Sequence, residues 1–345
     1  MTDDLPEQRH GHPYIMYDMI KDSYNGIRST IEIMKKVDLS IFQSPLTVTG
    51  NGTALHSGIA GSQILSRTDL QWDSIQAYEL EHFGKADGTV IGISHTGKTK
   101  STVDAMAKVS GQASTFGISH FANTPLLKNS SRGVVIGNGP DMSLCNTKAF
   151  FDNAFAMLAV SKHYGNISMD LHELAEKIRL VIERSDAPMR EMSENIGKVH
   201  SIFVLGSGPN FVAAREGAQK IKESTHVHAE GIELEEFNHG CTSVIDERTL
   251  VILISSMQDV ERVDDIVRAC RFTGTRTAVI NGEGDFNYYV PEMVDQYIQP
   301  IFNMVPLYYL AYYMALQYGV NPDYLRFEDK RYLDYDNIVF PPGAH

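Results

Sequence analysis

Residues 201–210, SIFVLGSGPN, repeat the form of residues 45–54, PLTVTGNGTA: an apolar run of strand length, a Gly-x-Gly turn, then the start of a helix. The repetition continues outward in the same order. TLVILISSMQD (249–259) parallels TVIGISHTGKT (89–99), and TAVINGEG (277–284) parallels STFGISHF (114–121). Three such parallels in sequence predict an internal duplication. GVVIGNG (133–139) reads as a further strand, while 146–164 and 170–186 read as helices, and 14–37 as a covering helix with Ile15, Met19, Ile27, Ile31 and Met34 on one face. Strands alternating with helices imply a parallel sheet covered on both sides. The expected fold is therefore α/β: two tandem domains, each a doubly wound parallel sheet with helices on both faces. The expected boundaries are an N-terminal helical segment (1–40), a first domain (41–165), a helical linker (166–198), a second domain (199–330) and a tail (331–345).

Composition narrows the function classes. The chain has 345 residues, 43% hydrophobic and 21% charged, as in a soluble globular protein. Its net charge of −13 repels a nucleic-acid backbone, so no nucleic-acid partner is expected and an anionic ligand needs a local site. No apolar run reaches the ~20 residues of a membrane span, and the N-terminus lacks a basic-then-apolar signal pattern. A cytoplasmic location without a membrane partner is expected. Cys145, Cys241 and Cys270 are widely spaced and suggest neither a disulfide framework nor a zinc site.

The densest cluster of ionisable side chains lies in AREGAQKIKESTHVHAEGIELEEFNHG (214–240). On a helix over 211–223, Glu216, Lys220 and Glu223 share a stripe of about 60°. Ala213, Ala214, Gly217 and Ala218 on the same helix let a neighbouring backbone come close, which places it inside a domain. Charges there must pair or do chemistry, although an exposed face with spaced ion pairs would use the same residues. His226, His228 and His239 lack a metal-ligand pattern, so no metal is expected.

An anion site is expected at the other repeat. Ser94, His95, Thr96, Gly97 and Thr99 follow a strand and open a helix, so backbone N–H groups, the helix dipole and three hydroxyls converge. Hydroxyls at such a place also serve simply as caps. In the second repeat ISSMQD lacks the glycine and gains Asp259, which would repel an anion, so one such site per chain is expected. The Gly50-Asn51-Gly52 turn lacks the third glycine and the acidic partner of a dinucleotide fingerprint, and no other cofactor motif occurs. No cofactor is expected. A phosphate cradle in one repeat and an acid–base cluster in the other fit a small phosphorylated substrate between domains, with proton movement as the reaction.

These motifs carry a resemblance. EGAQKIKE, HAE and NHG at their spacing, supported by ISHTGKT, NTKAF and LRFEDK, resemble the sugar-isomerase (SIS) superfamily in its tandem double-SIS form. The likeness is to the isomerase half of glucosamine-6-phosphate synthase, and the tail GVNPDYLRFEDK is similar to that of archaeal stand-alone glucosamine-6-phosphate deaminases. It runs over about residues 14–330 and makes the two domains SIS domain 1 and SIS domain 2. It implies catalytic roles for Glu223 as enolisation base, Lys220 on the same helix, His239 as the ring-opening group supplied across a homodimer interface, and Lys330 in a closing C-terminal loop. It implies phosphate binding by Ser94, His95, Thr96, Thr99 and Thr53, and sugar binding by Asn146 and Gly52. Ala54, His95 and Lys98 stand where the family has serine, glutamine and glutamate. The chain as given starts MTDD, without a glutaminase domain or its N-terminal cysteine, so it is not expected to draw ammonia from glutamine.

The implied activity is that of a cofactor-free enzyme converting a sugar phosphate, glucosamine 6-phosphate, to fructose 6-phosphate and ammonia. A plain aldose–ketose phosphate isomerase and a fructosamine-6-phosphate deglycase share the chemistry. A sugar-phosphate-sensing protein is the rival of another class, but residues 1–45 offer no helix-turn-helix and no basic face.

Overall fold

The computed structural model describes residues 9–340. Its elements, in chain order, are α1 (Ile15–Met34), β1 (Leu46–Gly50), α2 (Thr53–Ser62), β2 (Trp72–Gln76), α3 (Ala77–His82), β3 (Thr89–Ile93), α4 (Lys100–Val109), β4 (Ser114–Ser119), α5 (Pro125–Asn129), β5 (Arg132–Val135), α6 (Thr147–Tyr164) and α7 (Leu171–Ile196). The second repeat supplies β6 (Ser201–Gly206), α8 (Asn210–Thr225), β7 (His228–Glu233), β8 (Thr249–Ile254), α9 (Val260–Thr273), β9 (Arg276–Ile280), β10 (Phe286–Tyr288) and α10 (Gln299–Tyr318), and α11 (Lys330–Val339) follows it. Two compact units result. The first holds described residues 22–176 and 326–340, the second 9–21 and 177–325, so α1 and α7 each run from one unit into the other.

Each unit contains one five-stranded sheet, all parallel. The first runs β2-β1-β3-β4-β5 and the second β10-β9-β8-β6-β7, which read from its other edge is the same order. The duplication read from three sequence parallels is a duplication of topology. In the first unit, Val48, Ile91, Ile93 and Ile118 pack with Met34 of α1 and Met157 and Val160 of α6 in one core. Val90 faces a second core with Leu80 of α3, Met106 and Val109 of α4, and Leu126 of α5. In the second unit, Phe203, Leu205, Val251 and Leu253 pack against Val263, Ile266 and Val267 of α9, while α8 lies against α10, with Gly217 on Leu307. Both sheets are thus covered on two faces, and their central strands are largely apolar for that reason.

Two local expectations are corrected. The helix expected over 170–186 continues to Ile196 through Pro188, because Pro188 lies on the exposed face, where water can serve the carbonyl its ring leaves unpaired. The strand expected over 133–139 spans only Arg132–Val135. Strands β2, β7 and β10 carry no long apolar run, since as edge strands they are only partly buried.

Candidate functional site

In an open parallel sheet of this order, ligands bind outside the carboxyl ends of the strands where the winding reverses. In the first unit that point lies between β1 and β3. Two turns leave it: Gly50-Asn51-Gly52, with Gly52 at φ 49 and ψ −129 opening α2 at Thr53, and Ser94–Thr99 opening α4. Asn51 stitches them to their surroundings, donating to Ser101 Oγ and Thr102 Oγ1, both at 2.9 Å, and accepting from Gln76. Ser94 Oγ accepts from Gly97 N–H at 3.0 Å and meets Thr99 Oγ1 at 3.0 Å, and Thr96 Oγ1 accepts from Lys98 N–H at 3.2 Å. Thr99 holds the N-cap position without its side chain capping α4, so that end keeps the positive pole of the helix dipole uncapped by it. Gly97 adopts φ +64, and a Cβ there would stand 2.3 Å from Thr124 Oγ1; only glycine fits.

The structure brings Ser94, Thr96 and Thr99 together and turns His95 inward. Asp141 N–H donates to His95 Nε2 at 3.0 Å, and burial, with His120 and Lys148 nearby, pushes the imidazole well below its usual pKa. His95 is a neutral ring, not a cation for a phosphate. Lys98 is exposed and the Lys100 ammonium pairs with Asp104, so neither ammonium is held by the loop's hydroxyls. Asn146 opens α6 in the left-handed region at φ 44, donating to Leu144 O at 3.2 Å. Its Oδ1 and the neighbouring Thr147 Oγ1 are buried without a hydrogen-bond partner.

In the second unit α8 presents the acid–base cluster. Lys220 is buried between two carboxylates, with Nζ 2.6 Å from Glu223 Oε2 and 3.6 Å from Glu216 Oε1. Tyr308 of α10 donates to Glu216 Oε1 at 3.1 Å, and Gln219 Nε2 donates to Glu223 Oε1 at 2.8 Å. Tyr308 has no signal within the α8 sequence; Gln219 does, since it stands one helical turn before Glu223. Glu223 keeps 22% of its side chain open, and its carboxyl is raised above the usual range by burial, with Lys220 opposing and Glu216 adding. Burial rules out an exposed face of spaced ion pairs, because Glu216 and Lys220 are fully enclosed. A fixed carboxylate of raised pKa beside a buried ammonium is equipped to take up and return a proton.

The remaining candidates are exposed. His239 ends a short 3₁₀ turn, 68% exposed, with Nε2 3.9 Å from Glu235 Oε1, and Glu235 is held by a two-pronged bond from Arg262 at 2.6 Å. Lys330 opens α11 at 82% exposure and bonds Asp334 at 2.7 Å, an exposed pair worth about 0.5 kcal/mol. A groove of about 810 Å³ between α1, α6 and residues 166–172 contains none of the candidates.

Comparison with known proteins places the chain. The SIS domain profile matches residues 195–318. The isomerising glutamine–fructose-6-phosphate aminotransferase of Sulfolobus acidocaldarius is 26% identical over 328 residues, covering 91% of this chain and 56% of that protein. Its counterpart from Chlorobaculum tepidum is 29% identical, covering 79% and 48%. The chain spans about half the length of these relatives. Among solved structures, the C-terminal domain of the glucosamine-fructose-6-phosphate aminotransferase of Francisella tularensis superposes with a TM-score of 0.78 at 19% identity, covering 91% and 99% of the two chains. Glucosamine-6-phosphate deaminase of Thermotoga maritima gives 0.77 at 18%, covering 90% and 97%. Residues 195–318 therefore match a SIS domain, and the chain as a whole is similar in sequence and fold to the isomerising aminotransferases and in fold to the deaminase.

Proposed function

We propose that the protein is an enzyme of sugar-phosphate metabolism that isomerises and deaminates a hexosamine 6-phosphate, glucosamine 6-phosphate to fructose 6-phosphate and ammonia. The observation that carries this reading is Lys220 buried between Glu216 and Glu223 while the Glu223 carboxyl stays accessible. A sensor of sugar phosphates has no use for that arrangement. The names of the relatives, all concerned with hexose or hexosamine 6-phosphates, support the substrate class.

The reading assigns anion binding to Ser94, Thr96, Thr99 and Thr53, with His95 as a neutral member of the loop, sugar contacts to Asn146 and Gly52, and closure to Lys330. His239 protonates the ring oxygen as the C1 hydroxyl loses its proton, opening the ring to the aldehyde. Glu223 removes the C2 proton, giving an enolamine, and returns it to C1 to leave a C2 imine. Water adds to the imine, ammonia departs, and the ketose phosphate remains. Lys220 stabilises charge at the sugar oxygens while holding Glu223. We assign His239 to the site of a second copy in a homodimer, since it stands exposed on its own chain. Mixing the inactive variants Glu223→Gln and His239→Ala then restores about a quarter of the activity through hybrids with one intact site; no recovery on mixing removes this assignment.

The test of the function is to incubate the protein with glucosamine 6-phosphate and follow ammonia and fructose 6-phosphate together. Equal release of both is expected. Conversion of glucose 6-phosphate or a fructosamine 6-phosphate, with glucosamine 6-phosphate untouched, would replace the deaminase by an isomerase or a deglycase.

A further inference from the structure

Behind the β3–α4 loop lies a buried polar cluster that the proposed chemistry does not use. The His120 ring sits 4.8 Å from that of His95, and its backbone N–H donates to His95 O at 3.0 Å, with Ser119 Oγ donating to the same carbonyl at 3.2 Å. On its far side, His120 Nε2 is 3.3 Å from Asp152 Oδ2. Both side chains are fully enclosed, and neither His120 Nδ1 nor Asp152 Oδ1 has a hydrogen-bond partner. Gly26 of α1 and Gly137 press on the carboxyl, for a Cβ at either would stand 2.3 Å or 2.8 Å from its oxygens. Lys148, the cation that acts on both groups, is bonded to Asp22 at 3.0 Å, and Asp22 also accepts from Asn25 and Asn138. Asp141 accepts from Ser143 N–H and Ala149 N–H while its own N–H holds His95.

We propose that His120 and Asp152 are positioning residues for the anion-binding loop, fixing the His95 ring and backbone from behind through a single hydrogen bond between carboxyl and imidazole. This rests on the reading of that loop as the phosphate site. The direction of the bond follows from burial. Burial pushes the Asp152 carboxyl up to about 8, with Lys148 opposing and Asp22 adding, and pushes His120 down to about 3, with Lys148 contributing. At neutral pH the carboxyl keeps its proton and donates O–H to Nε2. An amide can do the same, so Asp152→Asn preserves the bond and Asp152→Ala removes it. Loss of the proton at higher pH puts an unpaired negative charge behind the loop, facing Asp22 from α1, Lys148 from α6, and His95 and Asp141 from the loops.

The experiment is calorimetric titration of wild type, Asp152→Asn, Asp152→Ala and His120→Leu with inorganic phosphate and with glucose 6-phosphate between pH 6.5 and 9.5. Asp152→Ala and His120→Leu are expected to weaken binding of both ligands five-fold or more, with Asp152→Asn within two-fold of wild type at pH 7. Above pH 8 wild-type affinity should fall relative to that of Asp152→Asn. Equal affinity of wild type and His120→Leu, or Asp152→Asn as weak as Asp152→Ala, overturns the proposal while leaving the loop as the phosphate site. Wild-type protein that binds neither ligand refutes the loop reading, and the proposal with it.

Discussion

The two sheets share one strand order and differ at the point where ligands enter such folds. Between β1 and β3 the first unit has Ser94, Gly97 and Thr99 on a loop that its own side chains leave uncapped at α4. Between β6 and β8 the second unit has Asp259 in the corresponding place, taking Ser256 N–H at 2.7 Å, Ser255 Oγ at 3.4 Å and the Ser207 hydroxyl. The second cradle is filled by its own carboxylate, which does more than repel an anion. The helices that follow the first strand of each repeat differ in the opposite sense. Helix α2, TALHSGIAGS, carries no carboxylate or ammonium, whereas α8 buries Glu216 and Lys220. The two repeats share a scaffold, and on the proposed reading they divide the chemistry: anion binding on one loop, proton transfer on the other helix.

This division breaks most visibly at Glu223. Glu223→Gln keeps the Gln219 side of the packing but has no base, so kcat should fall by about 10²- to 10⁴-fold with substrate affinity nearly unchanged, read by steady-state kinetics and calorimetry. Full turnover would end the acid–base role. On the proposed mechanism the same residue sets the pH profile. Its carboxyl is raised mainly by burial, so the base is lost as pH falls through a value above the ordinary ~4.3 of glutamate, and kcat/KM should climb with pH through that displaced limb. A limb at or below ~4.3 would mean that another group is titrating.

Gly97→Ala tests the first loop. A Cβ at φ +64 and 2.3 Å from Thr124 Oγ1 must move the loop, and phosphate affinity should drop by about tenfold or more, close to 1.4 kcal/mol, with the fold retained by circular dichroism. Asp259→Ser tests the second loop and carries the smallest effect. With the carboxylate gone, phosphate should titrate to two sites instead of one, the new one weak, with Kd about 1 mM or above. Unchanged stoichiometry would show that the second loop lost more than its vacancy.

Sequence patterning revealed the architecture where burial was complete. Strands β1, β3, β4, β6, β8 and β9 are enclosed on both faces and read as apolar runs, while the edge strands β2, β7 and β10 did not. The shared face of Glu216, Lys220 and Glu223 was legible because helical period alone fixes it. What lay outside reach was every partner distant in sequence: Tyr308 on Glu216, 92 residues away, and Asp141 and His120 on His95. His95 illustrates the cost: its place in the loop was legible, but its neutral ring, held by Asp141 N–H and lowered in pKa by burial, was not.

The most direct test of the account is to run glucosamine 6-phosphate in D₂O and read deuterium at C1 of the fructose 6-phosphate by NMR, for wild type and Glu223→Gln. Transfer by a carboxylate that exchanges with solvent predicts deuterium at C1 with wild type and no product with the variant. A deuterium-free product formed equally by both would contradict it.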